Sequence, residues 1–198
     1  MPRIAQTADE LREFIAAAEM AWFDVFDSAD DGQVIEENGG EYYRLPLKFS
    51  TKAKVIAYFR RYWGADMSSR MFCNLQTVTR NNRLYVIAGD TGTVHFFPLS
   101  VAVTGQTATR IRLTAVLAYE ENTPEESIRV RYLIAKSGEK LTILNRDHKN
   151  EDVRYQDCAQ VSVRSRRGIR PLLHKKRIHK PKRSAAARTG RKMRTAYK

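Results

Sequence analysis

Up to Leu75 the apolar residues of this chain recur at helical spacing; beyond it they alternate with polar ones. This switch of period constrains the fold more than any motif, because a helix shows one face about every 3.6 residues and a strand every second residue. Helices come first and strands afterwards. Thr7 and Glu10 form a T-x-x-E capping box, in which each side chain satisfies a backbone N–H at a helix start. Behind it Leu11, Phe14, Ile15, Ala18, Trp22, Phe23, Val25 and Phe26 make one apolar face. The helix is expected to end before a polar turn, Asp27 to Gly32. Tyr42 to Leu45 reads as a short strand or extended segment. Ser50 is expected to cap a second helix with Val55, Ile56, Phe59, Tyr62 and Trp63 on its apolar side, stopped by Gly64. A third short helix is expected over Asp66 to Leu75.

The strands follow. Thr77 to Arg80 and Arg83 to Ile87 flank Asn81-Asn82, a pair suited to the positive φ angles of a tight hairpin. Gly89-Asp90-Thr91-Gly92 is another turn. His95 to Thr104, Thr109 to Tyr119 and Ser127 to Ala135 are expected as strands, and Ser137-Gly138 turns the chain into Leu141 to Leu144. Ile111, Leu113, Ala115 and Leu117 alternate with Arg110, Arg112 and Thr114; Val130, Tyr132 and Ile134 alternate with Arg129 and Arg131. One buried and one wet face per strand is antiparallel logic. The expected fold is α+β: N-terminal helices packed on one face of a curved antiparallel sheet, a meander. The expected division is an α+β domain over 1–157 and a disordered basic tail over 158–198.

Charge makes that division visible. The segment 164–198 holds 15 Lys/Arg and no Asp or Glu, whereas the whole chain carries a formal charge of +13. The body before it is therefore close to neutral. So dense a run of one sign builds no core and is expected to contact a polyanion such as teichoic acid or nucleic acid. Its candidate contacts are Arg164, Arg166, Arg167, Arg170, Lys175, Lys176, Arg177, Lys180, Lys182, Arg183, Arg188, Arg191, Lys192 and Arg194. Opposite charge gathers elsewhere: residues 1–50 hold 11 acidic and 4 basic side chains. Glu120, Glu121, Glu125 and Glu126 cluster in a hairpin loop, and with Asp90 they are the candidate partner-binding residues. A solvated loop end is the plainer reading of the same carboxylates.

Catalytic, metal and cofactor signatures fail one by one. From Asp27 to Asn38 a calcium loop would need an oxygen ligand where Ala29 stands and a bidentate glutamate where Asn38 stands. His174 and His179 bracket a Lys-Lys-Arg run whose charge opposes a metal ion. Cys73 sits in an apolar helical stretch, away from any His in sequence, which suits a thiol that is not a nucleophile. Cys73 and Cys158 are expected as two buried free thiols, with a disulfide between them as the alternative. No G-x-S-x-G, Walker or dinucleotide-binding pattern occurs. The second and third helices imitate a helix-turn-helix, but the third offers only Arg70 to a phosphate and begins with Asp66. The expectation is a protein that is not an enzyme and has no cofactor. No run approaches the roughly 18 apolar residues of a membrane helix. The N-terminus reads as a helix start without an apolar secretory core. As written the chain is expected to be cytosolic; with a signal peptide removed it would be extracellular or in the cell wall.

One stretch carries a resemblance. Tyr43-Arg44-Leu45-Pro46, followed by Ser50-Thr51-Lys52-Ala53-Lys54-Val55-Ile56-Ala57-Tyr58-Phe59 and by Leu84-Tyr85-Val86-Ile87-Ala88-Gly89-Asp90-Thr91-Gly92, is similar to the DL-endopeptidase inhibitors of Gram-positive bacteria (the IseA type). The likeness covers roughly residues 7–145 in element order and 42–92 in residue identity. It implies a non-catalytic protein that binds cell-wall peptidases of the Cys-His type and blocks their clefts. The basic tail has no counterpart in that resemblance. The competing expectation is an intracellular nucleic-acid-associated protein acting through the tail.

Overall fold

The computed structural model describes residues 6–90, 92–119 and 126–158. Helix α1 spans Ala8–Phe26 and opens on the expected capping box, Glu10 N–H donating to Thr7 Oγ1 at 3.3 Å and Thr7 N–H to Glu10 Oε2 at 2.9 Å. Past Phe26 the chain departs from expectation. The polar turn is shorter, and strand β1, Asp30–Glu37, begins inside it. β1 pairs antiparallel with β2, Gly40–Arg44, through a turn in which Asn38 and Gly39 both take positive φ (52° and 82°). A residue without a Cβ costs little in that conformation. β1 is almost wholly exposed, so it has no buried face and no apolar alternation to betray it.

Two helices then interrupt the sheet. α2 spans Lys52–Phe59 and α3 Ala65–Cys73. Thr51, not Ser50, caps α2: its Oγ1 accepts from Lys54 N–H at 3.3 Å, while Ser50 Oγ turns back to donate to Leu47 O at 3.0 Å. Gly64 does not stop α2, which ends at Phe59; it is the N-cap of α3. Strands β3, Thr77–Arg80, and β4, Arg83–Ile87, have the expected bounds, with Asn81 and Asn82 at φ 50° and 57°. The first sheet runs β1-β2-β4-β3.

The second sheet is the expected meander: β5 Phe97–Gln106, β6 Arg110–Ala118, β7 Ile128–Ser137 and β8 Lys140–Arg146, paired in that order. Ile111, Leu113, Ala115, Leu117, Val130, Tyr132 and Ile134 are buried on one face, and register places Leu113 opposite Tyr132 and Ala115 opposite Val130. Register shifts in β5, at Pro98/Ser100 and Val103/Gly105, bend its edge. The fold is α+β as expected, with one correction: the strands form two four-stranded antiparallel sheets rather than one.

The indoles fasten the helices. Trp22 Nε1 donates to Met71 O and Trp63 Nε1 to Ala18 O, both at 3.0 Å and both buried. The α2–α3 joint docks on edge strand β8, with Gly64 N–H donating to Ile143 O at 2.8 Å and Ile143 N–H to Tyr62 O at 2.7 Å. Cys73 and Cys158 form a disulfide with Cα atoms 5.9 Å apart, which corrects the expectation of two free thiols: the fold brings together residues far apart in the chain. It joins the end of α3 to the chain beyond a 3-10 turn, Val153–Tyr155. Among the described residues no helix is long and apolar enough to cross a membrane.

Candidate functional site

One charged residue sits on the apolar stripe of α1. Glu19 lies among Ile15, Ala18 and Trp22 at helical spacing and is fully buried. Its carboxylate is met from the sheet side by Arg146 Nε (2.9 Å) and Tyr132 Oη (2.7 Å), and from the 3-10 turn by Arg154 Nη2 (2.9 Å) and Tyr155 Oη (3.2 Å). Asp152 completes the group, accepting from Arg154 Nε at 2.9 Å and Nη2 at 2.6 Å. Both guanidiniums lie over the Tyr155 ring, at 4.7 and 4.9 Å. Two carboxylates and two guanidiniums thus share a buried space. Burial pushes the Glu19 carboxyl up, but Arg146, Arg154 and the Tyr132 hydroxyl outweigh it and hold the pKa at about 2. Burial, more than the neighbouring Glu19, raises the Tyr132 hydroxyl well above the ordinary phenol range.

A pocket of about 380 Å³ opens against this group. Its floor includes Arg146 and Asp152, and its walls include Val94, Phe96, Tyr119, Ile128 and His148. Phe96 and Tyr119 lie with ring centroids 4.7 Å apart. Arg146 Nη2 is 3.5 Å from Asp152 Oδ2 and makes no hydrogen bond among the described residues. It is a buried donor at the base of an open pocket.

Asp90 is exposed and lines the same pocket. Its Oδ1 accepts from Gly92 N–H at 2.9 Å, and Gly89 and Gly92 take φ of 117° and 63°, so glycines make the reversal that carries the carboxylate. Tyr119 and Ile128 close the base of the β6–β7 hairpin and line the same pocket. The structure therefore brings Asp90 and the hairpin that carries the glutamates to one place. Glu126 is exposed; Glu120, Glu121 and Glu125 lie outside the described residues. Every candidate polyanion contact from Arg164 to Arg194 lies outside them too.

Cys73 and two histidines, His95 and His148, are engaged elsewhere. Cys73 is half of the disulfide. His95 packs edge-on between Phe23 and Phe97, at 5.6 and 4.1 Å, and burial together with Arg154 lowers its pKa. His148 Nδ1 pairs with Glu151 at 2.9 Å. The buried quartet itself was missed in the sequence. Its one available signal was a glutamate in phase with the apolar residues of α1, a position that demands buried cations.

No curated protein matches the chain. A family model described as IseA DL-endopeptidase inhibitor matches residues 5–139, from the edge of α1 to the β7–β8 turn, and takes in both the Gly89–Gly92 turn and the β6–β7 hairpin. The chain belongs to the IseA DL-endopeptidase inhibitor family.

Proposed function

We propose that this protein inhibits a cell-wall DL-endopeptidase of the Cys-His class and turns over no substrate. The observation that carries the reading is the convergence of Asp90 with Tyr119 and Ile128, at the base of the β6–β7 hairpin, on one pocket. A Cys-His pair works as thiolate and imidazolium, so a carboxylate entering its cleft meets a cation. Asp90 and the hairpin glutamates take the place of acidic groups of the peptide substrate, and the aromatic wall of Phe96 and Tyr119 supplies contact area beside them. The Cys73–Cys158 disulfide favours an oxidising location outside the cytosol. The basic segment 164–198 is proposed, on its charge alone, to hold the molecule on an anionic polymer.

The test is titration of the full chain into purified Cys-His DL-endopeptidases. Inhibition at micromolar concentration or below is expected, and Asp90→Asn should weaken it about tenfold or more. Absence of inhibition would remove the reading. Inhibition that survives both Asp90→Asn and conversion of all four hairpin glutamates to glutamine would keep the function and discard these residues as its carriers.

A further inference from the structure

The near-neutral body hides a separation of charge. Strands β5 to β8 contain no Asp or Glu at all, while Arg110, Arg112, Arg129 and Arg131 lie along β6 and β7. All four are exposed and alternate with the buried core residues, so they share the face opposite the helices. Register sets their order. Arg110 faces Ala135, Arg112 faces Leu133, Thr114 faces Arg131 and Val116 faces Arg129. The arginines therefore form one diagonal line that starts on β6 and crosses to β7, each step about two residues or roughly 7 Å along the strand. Arg131 pairs with Asp147 just beyond β8; the other three make no ion pair among the described residues.

Like charges on neighbouring strands disfavour the sheet. A line of four, three of them without an ion pair among the described residues, suits something that arrives with negative charge. All four are arginine, whose planar fork matches the oxygens of phosphate. The side chains around them are small or aliphatic: Ser100, Ala102, Thr114, Val116, Leu133 and Ala135. None of these is aromatic, and Phe97, which register sets opposite Ala118 beyond the end of the line, packs against His95, so the arginine line itself has no free platform on which a nucleobase would stack. It presents no helix or ribbon to a groove either.

We propose that the outer face of the second sheet binds a linear phosphodiester polymer without bases, laid along the Arg110–Arg112–Arg131–Arg129 line. This site lies on the folded body, is distinct from the basic segment after residue 163, and does not depend on the inhibitor reading. A polymer that touches both the sheet and that segment gains from their linkage.

The test uses the full chain and poly(glycerol phosphate). Backbone amide resonances of Arg112 and Arg129 should shift on titration. The substitutions Arg110→Ala, Arg112→Ala and Arg129→Ala together should lower the slope of log affinity against log salt by about 2, at roughly 0.7 per lost contact. A matched set on other surfaces, Lys48→Ala, Arg60→Ala and Arg80→Ala, should change that slope by less than half as much. Resonance shifts confined to residues after 158, or equal effects of the two sets, would overturn the site. Oligo(dT) with the same number of phosphates should bind no more tightly than poly(glycerol phosphate). Tighter binding of oligo(dT), lost through the same three substitutions, would overturn the choice of a base-free polymer.

Discussion

Glu19 is the residue on which the interior turns. Its carboxyl is held at about 2 against an ordinary value of 4.5, a difference of about 3 kcal/mol. Because the folded pKa is the lower one, this stabilisation is complete above about pH 4.5. It is lost as the pH falls toward 2. Glu19→Gln should therefore flatten the acid limb of a stability-against-pH curve, and a variant with the same acid limb as the parent would refute the assignment. At neutral pH the same change leaves Arg146 and Arg154 buried with one anion between them, and should cost about 3–5 kcal/mol. Calorimetry should read this as a fall in Tm of about 6 °C or more. The network was not legible residue by residue. Arg146 and Arg154 resemble any other arginine in the sequence, and only the docking of β8 and the 3-10 turn against α1 makes them partners of Glu19.

Among the elements, the start of α1 and the meander were readable because their signals are local. Thr7 and Glu10 lie three residues apart, and alternation along β6 and β7 needs no knowledge of other strands. Thr7→Ala should cost about 1 kcal/mol, seen as a small drop in thermal midpoint with α1 otherwise intact. The first hairpin escaped because β1 buries nothing, although Asn38-Gly39 is itself a strong turn signal. Gly64 was misread for a different reason. A glycine after an apolar run is a common helix stop, but here the chain passes so close to β8 that a Cβ would sit 3.4 Å from Ile143 O. Gly64→Ala should be tolerated within about 1 kcal/mol. The branches of Gly64→Val should cost about 1–3 kcal/mol by forcing α3 off the edge strand, a difference that urea titration resolves.

For the whole molecule, the disulfide closes a span of 85 residues, from α3 to the end of the described chain. On chain-entropy grounds this contributes about 4–5 kcal/mol. The double substitution Cys73→Ser, Cys158→Ser should melt well below the parent, and reduction of the parent should bring the two curves together. An unchanged midpoint after reduction would show that the bond contributes nothing to stability. We further propose that the chain folds without the segment after Gln160. Truncation there keeps Arg154, Tyr155 and the disulfide, all parts of the interior or its closure, and should move the midpoint by less than about 5 °C. A larger fall would make the basic segment part of the fold.

The sequence by itself determined the class of fold, the three helices, the order of the strands after Leu75, the buried faces of β6 and β7 and the family likeness in residues 42–92. Each rests on interactions between residues close in the chain, or on a period that any window of ten residues shows. Tertiary structure decided the rest. Splitting the strands into two sheets, pairing Cys73 with Cys158, burying a four-charge cluster and aligning arginines from two strands all join residues far apart in the chain. Such contacts leave no periodic trace. Asp90 and the β6–β7 hairpin were each visible in the sequence, but only the folded chain sets them at the same pocket.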